Sequence, residues 1–135
     1  MKILLLVRGV SGAGKTSFVK ALSYIHYSSG AYEHYEADMY FYDNLGRYNF
    51  DKNKLDAAHK WCQNATEASL QDGASVIVSN TSTSESEVKV YQDIAKKTGA
   101  EFISIIVENR HNGVSVHNVP EHALNRQKQR FSIAL

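Results

Sequence analysis

The sequence contains one cysteine, one proline, and no apolar run long enough to cross a membrane. With Cys62 alone, the chain cannot form an internal disulfide, and no histidines accompany this thiol at the spacing of metal ligands. The apolar start, Ile3 to Val7, is too short for the core of a signal peptide. These absences predict a protein without a membrane segment in a reducing, cytoplasmic setting.

The sequence also has little excess charge of either sign. Its formal net charge is +1, so it lacks the broad basic surface that drives unspecific binding to DNA or RNA. A nucleic acid would therefore have to be held in a local groove. At 135 residues and 43% apolar composition, residues 1–135 are expected to form one domain.

The most specific pattern that is present lies near the N-terminus. Residues 9–16 read GVSGAGKT, which matches the phosphate-binding loop G-x-x-x-x-G-K-[ST]. A strand-like run precedes it and a helical apolar pattern follows it, with Phe18, Val19 and Leu22 on one face. An ordinary glycine-rich turn is the alternative, but chance rarely supplies all four fixed positions in this context. The pattern predicts ATP or GTP binding.

This loop assigns candidate roles to its residues. Glycines allow close approach to phosphates, and the N-terminus of the following helix offers free N–H groups. Lys15 is expected to reach the β- and γ-phosphates, and the Thr16 hydroxyl to hold Mg²⁺. The predicted nucleotide contacts in this region are Gly12, Ala13, Gly14, Lys15, Thr16 and Ser17.

Strand and helix patterns alternate along the whole chain. The predicted strands are Ile3 to Val7, Tyr32 to Ala37, Ala74 to Val78 and Glu101 to Val107. Helices are expected after Lys15, from Asn53 to Asp72, from a capping box at Ser84 and Glu87, and from Pro120. This alternation predicts a parallel sheet in a three-layer α/β/α sandwich, the P-loop NTPase fold of nucleotide kinases.

Polar residues follow the second and third strands. Ligands of open α/β sheets bind at the carboxyl ends of strands, so Asp38 is expected to face the phosphate loop. The third strand runs into Ser79, Asn80 and Thr81, where many such enzymes have an aspartate that supports Mg²⁺. The metal is therefore expected to depend on Thr16, phosphate oxygens and water, with Asp38 as the nearest carboxylate.

Two further segments have no regular period. Met39 to Asp51 carries five aromatic residues, which either stack a base and frame an acceptor hydroxyl or simply cover the sheet edge. Glu108 to Pro120 is a long polar loop, of a length that is usually functional or disordered. We expect a lid over the nucleotide at about 108–119, followed by a basic helix in which Arg126 is a candidate nucleotide contact.

Together these motifs resemble the P-loop kinase family that includes the bacteriophage polynucleotide 5'-hydroxyl kinase and related small ATP-binding proteins of the AAA type. The resemblance covers nearly the whole chain. It includes residues 9–16, 37–40, 48–51, 58–62, 76–81, 117–120 and 130–131, together with Tyr91 and Ala95. It implies that Asp38 acts on the acceptor hydroxyl as general base, and that Arg110 of the lid contacts the transferring phosphoryl group.

The sequence departs from that family at two points. Tyr40-Phe41-Tyr42 stands where the best-known polynucleotide kinases have an arginine for the acceptor phosphate, and Ser79-Asn80-Thr81 replaces the aspartate. The acceptor can therefore differ from that of the best-known polynucleotide kinases. Within residues 1–135 we expect a kinase domain without a phosphatase or ligase domain.

The expected activity is transfer of the γ-phosphoryl group of ATP to a hydroxyl, foremost the 5'-hydroxyl of DNA or RNA. Candidate acceptor contacts are Tyr40, Tyr48, Asn80 and Thr81. One alternative is a kinase for a small acceptor such as a modified nucleoside, a hydroxymethylated base or an antibiotic. Another is a non-catalytic ATP-binding switch that a partner protein reads. The sequence does not indicate an oligomeric state.

Overall fold

The computed structural model describes residues 1–25, 32–82, 84–109, 117 and 119–131. The four strands are β1 (Ile3–Arg8), β2 (Tyr32–Tyr35), β3 (Ser75–Ser79) and β4 (Glu101–Ile106). The helices are α1 (Lys15–Ile25), α2 (Leu55–Gln71), α3 (Glu85–Thr98) and α4 (Glu121–Arg130). Two short 3₁₀ helices, Ala37–Phe41 and Lys52–Lys54, lie between β2 and α2.

The strands form one parallel sheet in the order β2-β3-β1-β4. Strand β1 lies inside the sheet, where Leu4 is opposite Val76 on one side and Phe102 on the other. Parallel pairing of strands that are separated by helices confirms the predicted α/β architecture. The described part of the chain shows no helix that has both the length and the hydrophobicity to cross a membrane.

Residues of β1 alternate between two apolar clusters because successive side chains point to opposite faces of a sheet. Leu4 and Leu6 pack with buried residues of α2 and α3. Val7 packs on the other face against Val19 of α1 and Ile77 of β3. Helices therefore cover both faces of the sheet, and the predicted three-layer sandwich is confirmed.

Helix α3 begins as predicted. The Ser84 hydroxyl accepts a hydrogen bond from the Glu87 backbone N–H, and the Glu87 carboxylate accepts one from the Ser84 N–H. Gly99 ends the helix with φ of 73°, a left-handed conformation that favours glycine. The predicted capping box is thus confirmed.

Strand β2 is two residues shorter than predicted. It ends at Tyr35, because the Ala37 N–H donates to the Asn80 side-chain oxygen (2.8 Å) rather than to a neighbouring strand. The Met39 N–H then donates to the Glu36 carbonyl and closes the first turn of a 3₁₀ helix. Asp38 consequently lies in this turn and not at the strand end.

The aromatic segment has more structure than its sequence suggests. After the 3₁₀ helix, Tyr42 and Tyr48 form an isolated antiparallel bridge around a turn. Asp43 closes that turn by accepting hydrogen bonds from the backbone N–H groups of Leu45 and Arg47. Phe41 is buried in the core, so covering the sheet is its role, whereas Tyr40 and Tyr42 are exposed.

The end of the sheet opposite the phosphate loop is held by one cation. The Lys2 ammonium group donates to the carbonyls of Leu70 (3.0 Å) and Thr98 (2.7 Å). These carbonyls lie in the last turns of α2 and α3, where the helix dipole favours positive charge. Lys2 therefore stabilises two helix ends at once.

Candidate functional site

The phosphate loop connects the end of β1 to the first residue of α1. Gly12 and Gly14 have φ of 82° and 98°, which residues with a side chain rarely adopt. Gly9 is required for another reason: a Cβ atom there would lie 2.9 Å from the Val107 carbonyl oxygen. The three glycines thus allow a tight loop that ends at the N-terminus of α1, as phosphate binding needs.

Lys15 folds back over this loop. Its ammonium group donates to the carbonyls of Gly9 (2.8 Å) and Val10 (3.0 Å). Burial lowers the pKa of Lys15 to about 8, against the opposing effect of the Glu36 and Asp38 carboxylates. A cation that is poorly hydrated and close to the loop is well suited to hold phosphate oxygens.

Thr16 makes the contact that best defines the site. Its hydroxyl donates to the Glu36 carboxylate at 2.6 Å, and the Ser79 hydroxyl donates to the same oxygen at 2.9 Å. His34 adds a ring nitrogen 2.6 Å from the Ser79 hydroxyl and 3.3 Å from Glu36. Burial acts to raise the pKa of Glu36, but the hydrogen bonds from His34, Thr16 and Ser79 together lower it to about 2.

The carboxylate at Thr16 is therefore Glu36, and the expectation that Asp38 would hold this place is wrong. The reason is the early end of β2. Glu36 is the first residue after the strand, while Asp38 is carried onward by the 3₁₀ turn. The sequence pattern does not single out Glu36, because it extends β2 two residues beyond its observed end at Tyr35.

Asp38 lies in a second group of polar contacts. The Tyr48 hydroxyl donates to its Oδ1 at 3.1 Å, and the His117 Nε2 atom is 3.6 Å from its Oδ2. Burial, together with the nearby Asp38 charge, raises the pKa of Tyr48, so this phenol stays a donor. Asp38 also lies near enough to Lys15 to affect its pKa. A half-buried, hydrogen-bonded carboxylate beside the phosphate loop is placed to accept a proton.

The aromatic rings near Asp38 differ in part from those predicted. Tyr48 stacks on His117 with ring centroids 4.1 Å apart, and Tyr42, whose side chain is about half exposed, lies 5.2 Å from Tyr48. Tyr40 instead packs against Phe41 and Trp61. The structure therefore places Tyr48 at Asp38 and Tyr42 beside Tyr48, whereas Tyr40 lies beside Trp61.

Asn80 and Thr81 support the backbone of the site. Asn80 is buried, and its amide N–H group points to the Cys62 sulfur (3.6 Å) and the Tyr91 hydroxyl (3.4 Å) while its oxygen holds Ala37. The Thr81 carbonyl accepts a hydrogen bond from the Gly9 N–H at 3.3 Å. Their side-chain and backbone contacts thus fix the turn before Asp38 and the start of the phosphate loop.

Helix α4 reaches the phosphate loop through an unpredicted residue. Arg126 is exposed, while the side-chain oxygen of the neighbouring Gln127 accepts a hydrogen bond from the Ser11 N–H at 2.9 Å. Ser17 is exposed in the first turn of α1. Arg110 and most of the predicted lid at 108–119 lie outside the described residues.

The donor atoms around Thr16 suit Mg²⁺, which prefers oxygen ligands and keeps several waters. Thr16 offers a hydroxyl and Glu36 an ionised carboxylate at the end of the phosphate loop. Over the described ranges no three His, Cys, Asp or Glu side chains cluster as a metal site.

A parallel β2-β3-β1-β4 sheet with helices on both faces and a phosphate loop after β1 defines a P-loop NTPase with a kinase-like fold. The chain belongs to the family AAA_33, described as an AAA domain, whose profile matches residues 4–133. NEDD4-binding protein 2 of Homo sapiens is 35% identical over 96 residues, which are 70% of this chain. The chain spans only 5% of the length of that protein.

Solved structures share this fold at low identity. Kti12 of Chaetomium thermophilum, in complex with ADP-AlF3, has a TM-score of 0.70 at 16% identity, covering 96% of this chain and 80% of that one. APS kinase CysC of Mycobacterium tuberculosis, with AMPPNP and APS, has 0.63 at 13%, covering 94% and 68%. A chain of the Pnkp1/Rnl/Hen1 RNA repair complex has 0.63 at 16%, covering 98% and 40%. These likenesses establish the fold.

Proposed function

We propose that this protein is an ATP-dependent phosphotransferase that moves the γ-phosphoryl group to a hydroxyl acceptor. The observation that carries the proposal is the Asp38 carboxylate, which Tyr48 holds at 3.1 Å beside the phosphate-loop lysine. A hydrolase must position water, whereas a kinase needs a carboxylate that receives the acceptor proton. The fold shared with an APS kinase is consistent with this assignment.

The residues divide the reaction into two parts. Lys15 and the loop N–H groups hold the phosphates, and Thr16 with Glu36 would hold Mg²⁺, which when bound neutralises phosphate charge. On the acceptor side, Asp38 takes the proton of the acceptor hydroxyl while the oxygen of that hydroxyl bonds to the γ-phosphorus. The bond from that phosphorus to the β–γ bridging oxygen breaks, and ADP leaves. Arg110, by the family resemblance, would contact the transferring group.

The proposed acceptor is the 5'-hydroxyl of a polynucleotide. Tyr42 presents a half-exposed ring next to Tyr48, which in turn donates to Asp38. Such rings stack nucleobases without regard to sequence. The likeness to a chain of an RNA repair complex is consistent with this acceptor. A small hydroxyl compound is the second candidate, because a net charge of +1 gives little general attraction for a polyanion.

An acceptor panel with labelled ATP tests the activity. We expect phosphate transfer to an oligonucleotide with a free 5'-hydroxyl, little transfer to the same strand already phosphorylated there, and loss of transfer in Lys15→Ala. Asp38→Asn should lower transfer while ATP affinity, measured by calorimetry, stays nearly unchanged. Hydrolysis without transfer to any acceptor in the panel would contradict the proposal.

The acceptor class has its own test. Tyr42→Ala should raise the oligonucleotide KM, since a stacked base contributes about 1–3 kcal/mol, or roughly 5- to 150-fold. Tyr40→Ala is the comparison variant, because it removes another exposed ring that packs on Trp61 and not on Tyr48. Acceptor affinity should fall steeply with salt if several phosphates are bound. If the acceptor KM changes neither with salt concentration nor in Tyr42→Ala, the small-molecule acceptor is favoured.

A further inference from the structure

The two carboxylate oxygens of Asp38 have different partners. Tyr48 donates to Oδ1 at 3.1 Å, and His117 places Nε2 at 3.6 Å from Oδ2. Tyr48 comes from the segment before α2, and His117 from the segment between β4 and α4. Asp38 is thus contacted by residues from two parts of the chain that are distant from each other in sequence.

The two partners also support each other. The rings of Tyr48 and His117 are stacked, with centroids 4.1 Å apart and planes at 18°. Tyr42 lies edge-on to His117 at 6.4 Å. The His117 side chain is 21% exposed and that of Asp38 is 42% exposed. The stacked pair therefore contacts both carboxylate oxygens, while the Asp38 side chain stays partly exposed.

Two contacts matter because the carboxylate group of an aspartate rotates easily about its terminal bond. Rotation about its terminal bond has broad, roughly two-fold minima, so one hydrogen bond defines the carboxylate plane poorly. A second polar contact from a different direction narrows that rotation. Misplacement of a reacting group by 1 Å can cost about 100-fold in rate.

We propose that His117 is a positioning residue for phosphoryl transfer, which fixes the Asp38 carboxylate so that it meets the acceptor hydroxyl in one orientation. This inference rests on the proposed function. In the reaction the acceptor proton moves to Asp38 while the new oxygen–phosphorus bond forms and ADP departs. His117 stays on the carboxylate and exchanges no bond with the substrate.

The kinetic test compares His117→Ala with His122→Ala, a control in which the same side chain is removed from an exposed position of α4. We expect His117→Ala to lower kcat for transfer by about 10- to 100-fold without changing the KM for ATP, because His117 contacts Asp38 and Tyr48 and is proposed to act through the Asp38 carboxylate. His117→Gln, which keeps an N–H donor, should recover part of the rate. A His117→Ala enzyme as active as the control overturns the proposal.

A double variant separates positioning from direct contact with the acceptor. If His117 acts through Asp38, adding His117→Ala to Asp38→Asn should cause no further loss. Multiplied losses would show that His117 acts by another route and would contradict the inference. If no acceptor is phosphorylated even by the unaltered protein, the proposed function fails. If Asp38→Asn transfers phosphate normally, phosphoryl transfer stands but Asp38 is not the base, and this inference falls with that role. If only the His117 variants are normal, the role of Asp38 stands and this inference falls.

A spectroscopic measurement checks the contact without activity. In nitrogen-correlated spectra of the imidazole rings, Asp38→Asn should shift the signals of His117 in the folded protein and leave those of His122 in place. Unshifted His117 signals would mean that the two side chains do not meet in solution, and the inference would be wrong. The same spectra show whether each variant is folded.

Discussion

The Thr16 hydroxyl donates to the Glu36 carboxylate across 2.6 Å, which joins the phosphate loop to the end of β2. Ser79 at the end of β3 donates to the same oxygen, so three strands or their loops meet at one carboxylate. In many P-loop enzymes an aspartate after the third strand serves the metal. Here Ser79 stands at that position, and the nearby negative charge is that of Glu36, the first residue after β2.

We therefore predict that Glu36→Gln weakens binding of Mg²⁺·ATP far more than binding of ATP alone. The amide keeps the shape of the side chain but removes the charge that a divalent cation requires. Supporting residues of metal sites typically contribute about 10- to 100-fold in affinity. Nucleotide titrations over a Mg²⁺ series measure the effect.

Glu33→Gln is the control for that experiment, since Glu33 is an exposed residue of β2. It should leave the Mg²⁺ dependence unchanged. Equal behaviour of the two variants would show that Glu36 does not serve the metal.

Gly9→Ala is expected to damage both stability and nucleotide binding. The added Cβ would lie 2.9 Å from a backbone oxygen, so the loop or Val107 must shift. Overpacking of this kind costs about 1–3 kcal/mol, which thermal or urea unfolding can resolve. Because Gly9 begins the phosphate loop, the shift should also lower ATP affinity.

Gly99→Ala serves as the comparison, because it places the same methyl group at the end of α3, where nothing lies within 4 Å. Its left-handed φ of 73° predicts a stability loss from backbone strain alone. ATP affinity should stay normal in the folded variant. If Gly9→Ala bound ATP equally well, the close approach to Val107 would not constrain the loop.

The Cys62 thiol should be unreactive in the folded protein. It is fully buried, and burial raises its pKa from the ordinary 9.0, so the reactive thiolate is scarce. The folded state holds the proton at a pH where an unfolded chain begins to lose it. The protonated thiol of Cys62 therefore contributes to the free energy of unfolding below about pH 9, and this contribution is lost as the pH rises further.

Ellman's reagent at pH 8 measures this directly, because the sequence has a single cysteine. The reaction should be slow in buffer and fast in denaturant. Reaction in buffer at the denatured rate would mean that the Cys62 thiol is not buried in solution.

Local patterns were enough for much of this molecule. The phosphate loop, the buried strand β3 and the capping box of α3 depend on neighbours in sequence, and each was predicted. The end of β2 was not, because the side chain of Asn80 ends that strand from another loop. For the same reason the sequence did not reveal Glu36 at Thr16 or His117 at Asp38, since both pairs are tertiary contacts between polar side chains.

The two hydrogen bonds of Lys2 have a practical consequence for handling the protein. Acetylation or other chemical modification of this one amine would remove the positive charge from the ends of α2 and α3 together. The loss of stability would begin at the end of the sheet that lies away from the phosphate loop, where Lys2 contacts both helices. Amine-directed labelling should therefore be checked for lost stability before any loss of activity is attributed to Lys15.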